Sequence, residues 1–489
     1  MSWPLFGIER WKGILVVFGG ILIHLSLGTL YTFGNLNPYL TSYMRAKGTS
    51  ASLTYTECSW IFALACMGQG ASMALGGLIE KRIGPKLTAL LGGWCMSLGV
   101  FLTYFAVKQS FALTIFTYGA VFGFGIGIVY AIPLACSMRW FPEKKGLVNG
   151  LVVAGFGGGA FIFNQIQTAF INPENKKPEL EVNGEKYFDQ PDVLDQVPYI
   201  FLILGGCYAG MQLIGSLLLC NPPPVEVTLY FETVNDMEND RDSDHDKTTL
   251  VPDKVTEDQK LLTKVEKTVN KGREEDDNLD VPPLQMLRDK NFYLIWFMFL
   301  LNGQGSVFIS TLYKAYGQTF ISDDSFLALV GAFAALFNAG GRIIWGILAD
   351  KFSVRVALMI TCASFATFML TLQLSEYGGK PVFFLFVCLL FGSFSGSFAL
   401  FPTATAKCFG RKYLSINYGL VFTSQMVTAP LGTFLSQSLK TAIGWSGLFF
   451  MVAGFSFASL IRDWCLLYSL CDELRIEEYL DAQSGTHAS

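Results

Sequence analysis

Long apolar runs broken by short polar loops dominate this chain. A bilayer crossing needs roughly 20 apolar residues to traverse about 30 Å of hydrocarbon. Twelve stretches meet that length: 13–36, 57–79, 87–107, 111–137, 146–169, 197–220, 291–313, 325–347, 355–375, 381–405, 416–438 and 444–470. In lipid each must satisfy its own backbone hydrogen bonds, which predicts α-helices. The runs are too continuous for the alternating strands of a membrane barrel. They fall six and six around 221–290, a stretch rich in Asp, Glu, Lys and Pro. That stretch has too little apolar surface to bury and is predicted to be a disordered, cytoplasmic linker. The expected organisation is an N-terminal half over 1–220, the linker, a C-terminal half over 291–470 and a cytoplasmic tail over 471–489. A second polar insert, 170–196, separates spans five and six.

Composition agrees. Of 489 residues, 52% are hydrophobic and 15% charged, with a mean hydropathy of +0.41, whereas soluble domains carry about a quarter charged residues. The net charge of -4 comes largely from the central stretch, which argues against nucleic acid as a partner. The eleven cysteines form no C-x-x-C pair and accompany no histidine cluster, so they predict packing residues and neither a disulfide framework nor a metal site. No His/Asp or Cys/His constellation suggests an enzyme, and no cofactor is implied. The opening MSWPLFGIERWKG runs straight into the first span, unlike the short apolar core of a cleaved leader.

Orientation follows from Lys and Arg in the short loops. With the N-terminus inside, inner segments hold twelve of these residues against nine outside. Both termini are thus expected in the cytoplasm, with the lipid bilayer as the surrounding partner.

Two loops echo one another. After span two stand Gly76, Glu80, Lys81, Arg82 and Gly84; after span eight stand Gly346, Asp350, Lys351 and Arg355, offset by 270 residues. The glycine lets helices approach closely. The acid can meet a helix N-terminus or an arginine, forming a latch that breaks and re-forms. This pattern resembles the cytoplasmic signature of the major facilitator superfamily, and implies its all-α membrane fold of twelve transmembrane helices in two six-helix halves. The run from Trp140 through Gly146, Gly150 and Gly155 to Phe163 is more specific. It resembles the span-four to span-five segment of the oxalate/formate antiporter family, as do Gly28–Phe33 and Asn338–Gly346. That family is related to the monocarboxylate carriers, so the resemblance implies transport of a small carboxylate. Gly155–Gly159 is no phosphate loop, since neither a strand nor a Lys-Ser/Thr pair accompanies it. Gly119, Gly123, Gly127, Gly392 and Gly396 have the spacing of close helix packing.

Arg342 is the central candidate for binding. It stands eight residues before Asp350, about 12 Å into the membrane. A buried arginine there is costly and defaults to function, and its planar fork suits a carboxylate. The mid-span regions offer it no Asp or Glu, while Arg462 and Asp463 can satisfy each other. Gln425 aligns with a span-eleven lysine of the antiporters, so the resemblance implies one buried cation and a monocarboxylate such as lactate, pyruvate or formate. Asn338 replaces the aspartate of proton-linked carriers. His24, midway along span one, could titrate and couple a proton, with a counter-anion as the other coupling partner. Tyr31, Tyr130, Asn302 and Gln304 are polar groups that could face a cavity, and Lys314 fits an entry funnel. Glu257–Leu262 resembles an acidic dileucine signal, setting an endolysosomal membrane beside the plasma membrane. A carrier of another solute and a non-transporting sensor or scaffold remain the rival readings.

Overall fold

A computed structural model describes residues 8–47, 52–222 and 280–466, apart from Asn175, Lys177, Asn183, Gly184, Gln318 and Ser322. Its helices follow the apolar runs: α1 (Ile8–Leu27), α2 (Phe33–Ala46), α3 (Trp60–Ala106), α4 (Phe122–Trp140), α5 (Lys145–Ile171), α6 (Val197–Leu218), α7 (Lys290–Gly317), α8 (Asp324–Lys351), α9 (Val354–Thr371), α10 (Ser375–Phe409), α11 (Leu414–Phe422) and α12 (Ser424–Leu466). Among the described residues nine helical stretches are long and apolar enough to cross a membrane.

Two of the nine, Trp60–Ala106 and Val354–Phe409, exceed one crossing, and glycine explains how each folds back. In α3 the break is Gly84, with φ +81°, where a residue without Cβ pays no penalty. Gly76 and Gly92, on either side of it, both lie against Ile128 of α4. A straight helix would hold them about 24 Å apart, so α3 is a hairpin of the second and third expected spans. Gly379 (φ +63°) opens α10, and Gly444 (φ +64°) breaks α12.

The helices of 8–222 meet those of 280–466 along two antiparallel seams lined by glycine. Along α5 and α8, Gly146 lies against Gly346, Gly150 against Arg342 and Ile343, and Gly157 against Asn338 and Ala339. A Cβ on Gly157 would stand 3.1 Å from the Ala339 Cα, and one on Gly150 3.1 Å from the Ile343 Cα. Along the first limb of α3 and α11, Gly77 meets Ser415 and Ile416, and Gly419 meets Ala74. Small residues let backbones touch here, where lipid supplies no hydrophobic drive for association.

Two polar stretches are more ordered than their composition predicts. The end of the expected linker folds onto the α10–α11 turn: Asp280 accepts the Arg411 and Lys412 N–H groups at 2.9 and 3.0 Å, and Val281 N–H donates to the Phe409 carbonyl at 3.1 Å. The insert 170–196 is likewise not just a polar loop. It forms a hairpin of β1 (Leu180–Val182) and β2 (Glu185–Tyr187), with Leu180 opposite Tyr187. Tyr187 and Phe188 are buried; Phe188 stacks on Tyr39 at 4.9 Å and Arg45 lies 4.3 Å over Tyr187. Two aromatic side chains anchor the hairpin on α2 despite its charged neighbours. The dileucine-like segment 257–262, the tail 471–489 and the side chains of Lys314, Arg462 and Asp463 lie outside the described residues.

Gly150→Leu should hold α5 and α8 apart. Overpacking costs about 1–3 kcal/mol, which lowers the population of this closed seam about 5- to 150-fold. Thiol labelling of Val153→Cys, a buried seam position, is the measurement. Labelling should rise in the Gly150→Leu protein and stay at the parent level in Gly206→Leu, whose added Cβ meets nothing within 4 Å.

Candidate functional site

Arg342 is completely buried, on the face of α8 turned toward α5. Its Nε donates to the Asn338 Oδ1 one turn earlier at 3.1 Å, and its Nη1 donates to the Val153 carbonyl of α5 at 2.9 Å. The guanidinium carbon lies 5.0 Å from the ring centre of Phe398 and 5.6 Å from that of Phe156. Nη2 is buried with no hydrogen-bond partner. Among the described residues no carboxylate bonds this cation. Its protein partners are a carbonyl, an amide and two ring faces, all neutral. A lone ion at this depth is costly, and the aromatic cluster around Tyr130 borders it.

That cluster gathers side chains from both sides of the seam. Tyr130 of α4 is buried, its ring 5.5 Å from Phe156 and 5.5 Å from Phe422. His24 of α1, also buried, sets its ring edge-on to Tyr130 at 4.9 Å. Tyr31, just past α1, packs edge-on to Phe156 at 5.4 Å. Tyr418 of α11 is 6.5 Å from Tyr130, and its buried hydroxyl is unpartnered. His24, Tyr31, Tyr130 and Tyr418 all lie within electrostatic range of the Arg342 charge. The geometry thus brings Arg342, Asn338, Tyr130, Tyr31 and His24 together.

Other expected residues stand elsewhere. Gln425 donates to the Phe299 carbonyl at 3.0 Å and to the Ser424 hydroxyl at 3.4 Å, so its amide ties α12 to α7. Asn302 bonds Ser459 at 3.1 Å and Cys362 at 3.3 Å. The Gln304 amide nitrogen donates to the Thr428 carbonyl at 3.5 Å. These are helix–helix contacts within the second half. Sequence reading missed Phe156, Phe398, Tyr418 and the Val153 carbonyl. Phe156 was visible only as the one large residue inside a glycine run, and the carbonyl left no signal at all.

The two echoing loops sit at one end of the seams and reach across them. Asp350 Oδ1 accepts the Gly146 N–H at 2.8 Å and its Oδ2 accepts the Leu147 N–H at 2.7 Å. This carboxylate of the second half caps the first turn of α5 in the first half, where free N–H groups and the helix dipole favour negative charge. Glu80 accepts the Ser415 hydroxyl of α11 at 2.5 Å and pairs with Arg139 of α4 at 2.7 Å. Gly76 lies against Ile128 and Gly346 against Gly146, giving the close approach that both contacts need. The basic members lie outside: Lys81 sits 5.2 Å over the Tyr413 ring, and Lys81, Arg82 and Lys351 are exposed.

Comparison with known proteins agrees with this architecture. The family model described as Major Facilitator Superfamily matches residues 16–432 and 295–479. Apicoplast pyruvate carrier 1 of Toxoplasma gondii is 32% identical, the match covering 90% of this chain and 86% of that protein. The oxalate:formate antiporter of Oxalobacter formigenes is 23% identical over 92% of this chain and 89% of its own. Among solved structures, a proton:xylose symporter superimposes with a TM-score of 0.67, covering 94% of this chain and 96% of that one at 13% identity.

Asp350→Asn should loosen the cap on α5. An amide satisfies one N–H and turns its own N–H₂ toward the other, so about 1–2 kcal/mol is lost and this arrangement becomes about 5- to 30-fold less populated. Single-molecule distances between labels on the α4–α5 and α8–α9 turns would show it as a gain in the separated population. An unchanged distribution would mean that the carboxylate does not latch the seam.

Proposed function

Because the chain belongs to the Major Facilitator Superfamily, we propose that this multi-pass membrane transporter is a secondary carrier of small organic anions, with Arg342 as the anion site. The cargo best suited is a monocarboxylate of the pyruvate, lactate or formate type. The observation that carries this reading is the unpartnered, buried Nη2 of an arginine that, among the described residues, has no carboxylate of its own. The pyruvate carrier and the oxalate:formate antiporter among its relatives support the same class of cargo.

The chemistry follows from the surroundings. Nη2 offers N–H donors for one carboxylate, and in low dielectric such a charge-assisted bond is strong. Tyr130 and Tyr418 add hydroxyls, while Phe156, Phe398 and Tyr31 give apolar walls for a short carbon stem. Among the described residues no second buried cation stands beside Arg342, Gln425 being engaged with Phe299. One carboxylate matches one guanidinium, and a dianion would keep a charge without a partner.

Alternating access uses the same contacts. Arg342 belongs to the second half, 291–470, yet donates to Val153 of the first half, 1–220. When the halves rock apart at the Asp350 and Glu80 end, this bond breaks and the guanidinium turns to the anion. With the acid-bearing loops on the cytoplasmic side, the described state is closed toward the cytoplasm. The plasma membrane is the proposed location, with both termini inside.

Counter-flow of labelled pyruvate, lactate, formate and oxalate in proteoliposomes is the test. Arg342→Ala should lower monocarboxylate flux about 10- to 150-fold, the worth of a hydrogen bond to a charged group. Arg342→Lys should lose most of it too, because an ammonium cannot keep the Asn338 and Val153 bonds and still present a fork. If both variants carry every carboxylate at the parent rate, Arg342 is not the anion site.

A further inference from the structure

Proline weakens one helix of each half at the same place. Pro133 lies in α4 and Pro402 in α10, offset by 269 residues, within one of the 270 that separate the two echoing loops. Pro402 has no N–H to give the Phe398 carbonyl, and its ring crowds that oxygen, so this turn of α10 cannot close its backbone hydrogen bond. The Thr403 hydroxyl donates back to the Ala399 carbonyl at 2.9 Å, a contact that tends to bend a helix further. At membrane depth a neighbouring helix must support such a turn.

That support comes from the opposing half. Asn149 of α5 is completely buried; its Nδ2 donates to the Ala399 carbonyl at 2.5 Å and to the Thr403 hydroxyl at 3.5 Å. A carbonyl can only accept, which fixes the amide with its nitrogen toward α10. Ala399 follows Phe398, whose ring centre lies 5.0 Å from the Arg342 guanidinium. Asn149 precedes Gly150, which lies against the Arg342 backbone. One amide thus joins the α5–α8 seam to the turn of α10 that carries a ring over the cation. The first half shows the counterpart without the hydrogen bond. Tyr130 stands three residues before Pro133, as Ala399 does before Pro402, and Tyr418, offset by 269 residues from Asn149, sets its ring 6.5 Å from it. A ring contact can slide, whereas an amide bonded to a carbonyl is either made or broken.

We propose that Asn149 is a positioning residue of the anion site: it braces α10 at Pro402 from across the seam and holds Phe398 on Arg342 only while the seam is shut. When the halves part at the Asp350 end, Asn149 leaves with α5. Thr403 then keeps the Ala399 carbonyl satisfied, and the arm of α10 beyond Pro402 is released to bend. This rests on the carboxylate reading above and adds a device that presents the Phe398 wall to the cargo in one state of the carrier and withdraws it in the other.

Asn149→Ala and Asn149→Leu remove the donor, the second without leaving a cavity. Thiol labelling of Ala406→Cys, a buried position on the arm beyond Pro402, should rise about 3- to 10-fold in either variant, the worth of one hydrogen bond. Pro402→Ala gives α10 its own N–H, so adding it should return labelling to the parent level. Counter-flow in proteoliposomes is the second readout. Pyruvate and lactate carry a methyl group for the Phe398 ring to cover, and formate carries none. Asn149→Leu should therefore raise the half-saturation concentration about 3- to 5-fold for the first two and less than about twofold for formate. Added to Phe398→Leu, it should cause no further shift. Four results overturn the proposal: labelling that stays at the parent level, labelling that Pro402→Ala does not restore, equal shifts for formate and pyruvate, or a shift that persists on top of Phe398→Leu. Failure of the carboxylate reading looks different, since Arg342→Ala then leaves every flux unchanged while the labelling response stands.

Discussion

One guanidinium, held among the described residues by neutral groups alone, sets the terms for the rest of this molecule. Arg342 sits in the seam between the two groups of helices, bonded to an amide of its own helix and to a carbonyl of the opposing one. Burying a cation costs several kcal/mol, and a carboxylate would be the usual compensation. Here the compensation is partial, with two hydrogen bonds and two ring faces supporting the charge while one nitrogen stays free. Such a site retains a standing preference for an anion. Because one of its bonds crosses the seam, that preference is tied to the relative position of the helices on either side.

The seam transmits this because glycine lines it. Gly146, Gly150 and Gly157 bring the α5 backbone onto α8, so movement between the two must break backbone contacts in several places together. A seam of larger side chains could flex in place; one built on contacts between backbones is either shut or open. The hydrogen bond from Arg342 to Val153 lies between the Gly150 and Gly157 contacts, so site and seam share one geometry.

Much of this was legible in the residues. Apolar length gave the helices, and the paired glycine-acid-base loops gave the relation between the halves. Arg342 stood out because an ion at mid-span is rarely idle. The reading stopped at partners that carry no side-chain signature. The Val153 carbonyl and the N–H groups of Gly146 and Leu147 are set by backbone placement, which no pattern of residue types records. Gln425 illustrates the opposite difficulty. Its alignment with a lysine of the antiporters placed it beside the cation, whereas packing turns its amide toward Phe299. The ordered hairpin of 180–187 was hidden because charged residues outnumber the two aromatics that hold it.

The two latches are not equivalent, and the difference bears on how the seam opens. Glu80 is held by Arg139 from its own half and by Ser415 from the other. When the halves part it loses a hydroxyl and keeps its counter-charge. Asp350 is bonded to two backbone N–H groups, both across the seam. Parting removes both at once, leaves the carboxylate to water and uncaps α5 as well. Helix-terminus interactions of this kind are worth about 1–2 kcal/mol in partly buried settings. The free energy of opening is therefore concentrated at Asp350, while Glu80 serves mainly to register α3 against α11. That asymmetry places the larger loss on the same helix as Arg342, two turns away, so strain released at the proposed anion site would reach the proposed latch through a single rigid element.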